Sequence, residues 1–240
     1  MQESDLQKTI KFCKEFYNKR KYTEFEIHLT KFLEVYPNDI SLLMLLADNY
    51  RNLKNFRDAE KTYLKLIKMH PNEILFYSVY GELLYYTRLH DKALEVYDMG
   101  LNINKNHTLC LYGKAQVLNV LERQNEAINC LNRAITVEPK FENALQLLGT
   151  IYKSQGLYEE ALNCFNRIEG FSKDRLECLY FLDDKDQFYA LLNQYIDHKE
   201  HLVTIASLSI HAAIRYNQKD KANFCKSPFD YIYQNNFIDN

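Results

Sequence analysis

Residues 43 to 71 read LMLLADNYRNLKNFRDAEKTYLKLIKMHP, and Ala59 within that stretch is the first of four alanines that decide the fold. Ala93, Ala127 and Ala161 follow it at one unvarying interval. Each has a small residue twelve positions before it (Ala47, Gly81, Ala115, Gly149) and a large apolar one four positions after it (Tyr63, Tyr97, Leu131, Phe165). Self-similarity at this period, about 34 residues, marks stacked helical hairpins. Two helices packed back to back need small side chains where their axes approach and large ones beside them to fill the grooves.

Acidic or amide residues precede each alanine: Asp58, Asp91, Asn125 with Glu126, and Glu159 with Glu160. Negative charge there suits the positive end of a helix, so a second helix starts just before each alanine. Pro37, Pro71 and Pro139 lack an N–H and disfavour helix in the preceding residue, which separates one hairpin from the next.

These residues resemble the tetratricopeptide repeat (TPR) pattern, W-x2-L-G-x2-Y, then A-x3-F, then P. One unit reads Leu43-x2-Leu46-Ala47-x2-Tyr50, Ala59-x3-Tyr63, Pro71, and another Leu145-x2-Leu148-Gly149-x2-Tyr152, Ala161-x3-Phe165, Lys173. Tyr77, Tyr80, Gly81, Leu84, Ala93 and Tyr97, then Leu111, Ala115, Leu118, Ala127, Leu131 and Pro139, fill the units between. Tryptophan is absent, and Lys105 and Lys173 replace the closing proline. The resemblance implies an all-α, right-handed superhelical solenoid of helix-turn-helix repeats over residues 1–173. Its units are a divergent cap at 6–39, where Phe25 takes the alanine position, then 40–73, 74–107, 108–141 and 142–175. Beyond them a degenerate helical hairpin and a capping helix are expected at 174–216, and an aromatic tail at 217–240. Stacked repeats need such a terminal element to cover the last apolar face.

A formal net charge of −2 provides no basic field for phosphate backbones, so nucleic acid is not an expected partner. No apolar run approaches the roughly 20 residues that span a bilayer, and Met1 to Lys8 lacks the apolar core of a secretory signal. A soluble, cytoplasmic protein without a membrane partner is expected. The six cysteines form no C-x-x-C pair, and reduced thiols are the expectation. His198-Lys199-Glu200 matches half of a metal-binding H-x-E pattern, but no strand-rich segment surrounds it, so no metal and no cofactor are expected. H-E-x-x-H, G-x-S-x-G and phosphate-cradling glycine loops are missing, and the six glycines are too few to build them. No catalytic residue is assigned.

The TPR resemblance places the first helix of each repeat on the inner, partner-binding surface. Its second, fifth, ninth, twelfth and thirteenth residues would line that surface. In the middle these are Leu75, Ser78, Glu82, Tyr85, Tyr86, Leu109, Tyr112, Gln116, Asn119 and Val120, an uncharged and aromatic centre as read from sequence. Met44, Asp48, Arg51 and Asn52 flank it on one side, and Asn143, Gln146, Thr150, Lys153 and Ser154 on the other. TPR cochaperones grip chaperone tails with lysine and asparagine, where this chain has Met44 and Asp48, Ser78 and Glu82, or Tyr112 and Gln116. A chaperone clamp is therefore not expected. Tyrosines supply large, stiff, amphipathic contacts suited to a peptide with apolar anchors.

The function expected is a non-enzymatic scaffold holding a partner protein's peptide, with Leu75, Glu82, Tyr85, Tyr86, Leu109, Tyr112, Gln116 and Asn119 as binding residues. The alternative is the accessory, substrate-presenting region of a larger modifying enzyme. The run Phe224-Cys225-Lys226-Ser227-Pro228-Phe229-Asp230-Tyr231-Ile232 resembles the join between TPR regions and 2-oxoglutarate/iron oxygenase domains in some bacterial proteins. Self-association through the closing helix or the tail, giving a homo-oligomer, is the third alternative.

Overall fold

The structure is a computed structural model that describes residues 21–197 and 202–218. Twelve α-helices and no strand occur among the described residues. The start of the expected cap, the His198-Lys199-Glu200 pattern and the tail beyond residue 218 lie outside them. The chain forms two compact units, residues 1–137 and 138–240.

The first unit contains α1 (Tyr22–Val35), α2 (Ile40–Asn52), α3 (Phe56–Met69), α4 (Ile74–Tyr86), α5 (His90–Ile103), α6 (Thr108–Val120) and α7 (Gln124–Val137). Helix starts are set locally. The Asp39 carboxylate accepts the Leu42 N–H at 2.9 Å at the head of α2, and Asp58, Asp91 and Glu126 stand in the first turns of α3, α5 and α7. Each first helix stops at a residue in the left-handed region: Lys54 at φ 59°, Arg88 at 61° and Glu122 at 60°. Two reverse backbone bonds close these turns, as when Lys54 N–H bonds Arg51 O at 3.0 Å and Asn55 N–H bonds Tyr50 O at 2.8 Å.

Packing follows the alanines. Ala59, Ala93 and Ala127 are fully buried, and the residues four places after them, Tyr63, Tyr97 and Leu131, fill the adjoining space. The ring of Tyr97 lies against two glycines. A Cβ on Gly81 of α4 would stand 2.6 Å from Tyr97 Cε1, and one on Gly113 of α6 only 2.3 Å from Tyr97 Cζ. Packed by α3, α5 and α6, α4 buries residues on most of its circumference, as expected of a helix apolar nearly all round.

A second period runs through the inter-repeat turns. The Lys65 ammonium donates to Pro37 O at 2.5 Å, and the Arg133 guanidinium donates to Lys105 O. The corresponding position between them is Met99, and there Pro71 O instead accepts the Tyr77 hydroxyl at 2.8 Å. Side chains thus satisfy carbonyls of the inter-repeat turns, whether the residue there is Pro37, Pro71 or Lys105.

The second unit contains α8 (Glu142–Ser154), α9 (Tyr158–Phe165), α10 (Lys173–Phe181), α11 (Lys185–Asp197) and α12 (Leu202–Arg215). Ala161 is fully buried, and Phe165 takes the place of Tyr97, 2.6 Å from where a Cβ on Gly149 would be. Arg167 continues the carbonyl contacts by donating to Pro139 O at 2.8 Å. The repeat then contracts: α9 has 8 residues where α3, α5 and α7 have 14. Its end is held by Arg175, which donates to Phe165 O at 2.9 Å and to Ile168 O.

As a result α10 begins at Lys173, inside the unit expected to run to residue 175. The left-handed turn recurs at Gly156, at Asp183 after a shortened interval, and at Asn217 after an interval that matches the spacing of the alanines again. Leu176, Leu179, Phe188, Leu192, Ile205 and Ala212 form the core that joins α10, α11 and α12. The helix expected to cap the stack, α12, therefore ends in the same turn that closes α2, α4, α6 and α8. Its reverse bonds, Asn217 N–H to Ile214 O at 3.2 Å and Gln218 N–H to Ala213 O at 2.8 Å, repeat the pattern at Lys54.

Candidate functional site

The candidate surface lies on α2, α4 and α6 of the first unit, where residues at i, i+3 and i+7 share one helical face. Tyr85 and Tyr86 close α4, with ring centroids 5.7 Å apart at 58°, and the Tyr85 ring is 6.0 Å from His90. Tyr86 is the more open, 60% exposed. On α6 the Gln116 side-chain amide donates to the Tyr112 hydroxyl at 3.1 Å. Burial raises the Tyr112 pKa, with further upward effects from Tyr85, Tyr86 and Glu82.

Glu82, Tyr85 and Tyr86 stand on α4 and Tyr112 and Gln116 on α6, two helices that pack against each other. Leu109 lies one turn from Tyr112 and is 45% exposed, and Asn119 and Val120 continue the same helix toward its C-terminus. Leu75, 41% exposed, stands apart at the head of α4, ten residues or about 15 Å of helix before Tyr85. Ser78 is buried and bonds Leu75 O at 2.8 Å, so it lines the helix interior rather than the surface.

The expected uncharged centre is corrected. Arg51 of α2 reaches across to α4 and pairs with Glu82 at 2.6 Å, and it also lies 3.7 Å from Asp48. The Tyr63 hydroxyl donates to Asp48 at 3.1 Å from below. Burial, opposed by Arg51 and by Tyr63, raises the Asp48 pKa. Burial likewise raises the pKa of Tyr63 and of Tyr97, which has Glu82 as its next influence. Sequence reasoning took Tyr63 only as an apolar filler, whereas its hydroxyl supports a charged group. The signal was available: Asp48, Glu82 and Gln116 recur at the interval of the alanines, a polar residue in the same place on three first helices.

In the second unit the corresponding α8 residues are occupied internally. Lys153 bonds Asp174 and, at 2.7 Å, Glu177, both on α10, and Gln146 donates to Asp174 at 3.0 Å.

Cys110, Cys130, Cys164 and Cys178 are buried free thiols. Burial pushes the Cys110 pKa up to about 12 and the Cys178 pKa up to about 11, away from reactivity at neutral pH. Among the described residues, no group of three or more His, Cys, Asp or Glu could hold a metal ion. No helix among them is long and apolar enough to cross a membrane. An open cleft of about 460 Å³ lies between α1, α2 and α3, lined by Leu33, Pro37, Leu43 and Lys65, and shares no residue with the tyrosine cluster.

Hairpins of constant period, buried alanines and ring-on-glycine packing define a helical-repeat protein. The Tetratricopeptide repeat profiles match residues 41–73, 110–141 and 142–173, so the chain contains tetratricopeptide repeats. It is 26% identical over 121 residues to the N-terminal acetyltransferase A complex auxiliary subunit NAA15 of Arabidopsis thaliana, a match covering 50% of this chain and 14% of that protein. The solved structure of a tetratricopeptide repeat protein from Parabacteroides merdae superposes with a TM-score of 0.61 at 18% identity, covering 95% of this chain and 92% of that one. The structure of PilW, a type IV pilus biogenesis factor, gives a TM-score of 0.65 at 16% identity, covering 81% and 93%. These structural likenesses establish the all-α repeat fold, and repeats of this class typically mediate protein–protein interaction and are generally non-catalytic.

Proposed function

We propose that the chain is a scaffold that holds a peptide segment of a partner protein on the face formed by α2, α4 and α6, and that it acts by binding rather than by catalysis. The observation that carries this reading is the grouping of Tyr85, Tyr86 and Tyr112 on adjacent first helices, with Tyr86 left 60% exposed. Large aromatic residues gathered at a surface are the usual energetic anchors of an interface, and their burial by a partner supplies most of its affinity. Leu109, Gln116 and Asn119 extend the face along α6, and Glu82 supplies a hydrogen-bond acceptor. Replacing Tyr86 and Tyr112 together by alanine should weaken partner binding by about 2 kcal/mol or more. Partners recovered at unchanged level by the doubly substituted chain, with its circular dichroism intact, would refute the assignment.

A second reading, a substrate-presenting region of a larger modifying enzyme, is favoured by the match to NAA15. There a segment like this one is a small part of a longer auxiliary subunit. Its oxygenase-like version rests on the Phe224 to Ile232 sequence, outside the described residues. Co-purification of this chain with a modifying enzyme, in an amount that depends on Tyr86 and Tyr112, would join the two readings.

A further inference from the structure

The charges on the tyrosine face do not balance. Asp48 and Glu82 contribute two carboxylates, and the guanidinium that faces them is that of Arg51, which contacts both. One negative charge remains in excess on carboxylates that are 32% and 41% exposed, shielded enough to feel a partner and open enough to meet one. The nearby phenol rings act with the same sign, because an aromatic face attracts cations through its quadrupole.

We propose that the cluster of Glu82, Tyr85, Tyr86 and Tyr112, backed by Asp48, selects a partner segment bearing a lysine or arginine side chain. The aliphatic stem of that side chain lies on the tyrosine rings, and its charged head meets Glu82 on the side away from Arg51. Acidic segments are disfavoured by the same excess charge. This inference rests on the reading of α2, α4 and α6 as the peptide-binding face.

The test uses the full chain, panned against a phage-displayed pool of random peptides about a dozen residues long. Peptides that bind the native chain but not the Tyr86→Ala/Tyr112→Ala chain should carry Lys and Arg about two- to fivefold more often than Asp and Glu, as a contact worth about 0.5–1 kcal/mol implies. That bias should disappear when the same pool is panned on Glu82→Gln, and on Asp48→Asn, which keeps an acceptor for Tyr63. Tyrosine-dependent peptides with no charge bias, or with an acidic one, would overturn the inference and leave the peptide-binding face standing. Selected peptides that bind the tyrosine-substituted chain equally well would overturn the reading of the face, and the inference with it.

Discussion

The ring of Tyr97 occupies the space that a side chain on Gly113 would need: a Cβ there would meet Tyr97 Cζ at 2.3 Å and the hydroxyl oxygen at 2.4 Å. Gly81 closes off the other approach, so the ring has nowhere to retreat. Overpacking of this kind costs about 1–3 kcal/mol, against a gain of about 1 kcal/mol for alanine over glycine inside a helix. Gly113→Ala is therefore expected to lower stability by up to about 2 kcal/mol. Tyr97→Leu, which installs the side chain that Leu131 provides at the same place in the next repeat, should recover much of that loss in the double variant. Thermal melts of the four chains give the coupling, and additive effects would contradict the contact.

Gly156 tests a different cause. Nothing lies within 4 Å of a Cβ placed there, yet its φ is +76°, so Gly156→Ala meets backbone strain alone. A cost of about 1 kcal/mol, or a few degrees in Tm, is expected. Asparagine tolerates this conformation better, so Gly156→Asn should melt between the two. A melt of Gly156→Ala equal to that of the native chain would exclude the left-handed turn.

Arg133 and Met99 hold equivalent positions in successive repeats, and only Arg133 reaches an inter-repeat carbonyl, that of Lys105. Arg133→Met should cost about 0.5–1.5 kcal/mol, the usual worth of one hydrogen bond. Met99→Arg should stabilise little, since Pro71 O is already bonded to the Tyr77 hydroxyl. Chemical denaturation of both variants checks the pair, and an equal response would undo the distinction.

His107 predicts a pH effect. Its Nδ1 accepts the Cys110 N–H at 3.3 Å as the cap of α6, a role that requires the neutral ring. Burial lowers its pKa from the usual 6.5. The unfolded chain therefore takes up the proton first. The contribution to stability is complete above about pH 6.5 and is lost as the pH falls through the depressed folded value. His107→Asn keeps a capping acceptor that does not titrate, so it should flatten this part of the profile by up to about 1 kcal/mol. Parallel Tm-against-pH curves for the two chains in that window would refute the assignment.

Tyr86 and Tyr63 should separate binding from stability. Tyr86→Ala alters a residue 60% exposed and should change stability by no more than about 0.5 kcal/mol while weakening partner capture. Tyr63→Phe removes the donor to the partly buried Asp48 and should cost about 1 kcal/mol. If the two variants lost binding and stability in the same proportion, the surface would be structural rather than functional.

The fold was legible because its evidence is periodic. Ala59, Ala93, Ala127 and Ala161 recur at one interval, and burial is the reason they must be small, so spacing in the chain maps directly onto packing in space. The tyrosines of the candidate face do not recur at that interval and are named only from the repeat register, Tyr85 and Tyr86 near the end of one first helix and Tyr112 near the start of the next. The acid-base arrangement beneath them was not legible. Arg51 meets Glu82 from 31 residues away, and the geometry of a side chain crossing between neighbouring helices is not written in either helix alone.

By itself, then, the sequence determined the hairpin and its recurring interval, since these follow from local periodicity and from residues that start and stop helices. Only the tertiary structure decided that Tyr97 is the reason Gly113 must lack a side chain, that the fifth repeat contracts at α9, and that Arg51 pairs with Glu82. Those facts depend on distances between elements far apart in the chain, where steric exclusion and Coulomb attraction act and sequence spacing carries no information.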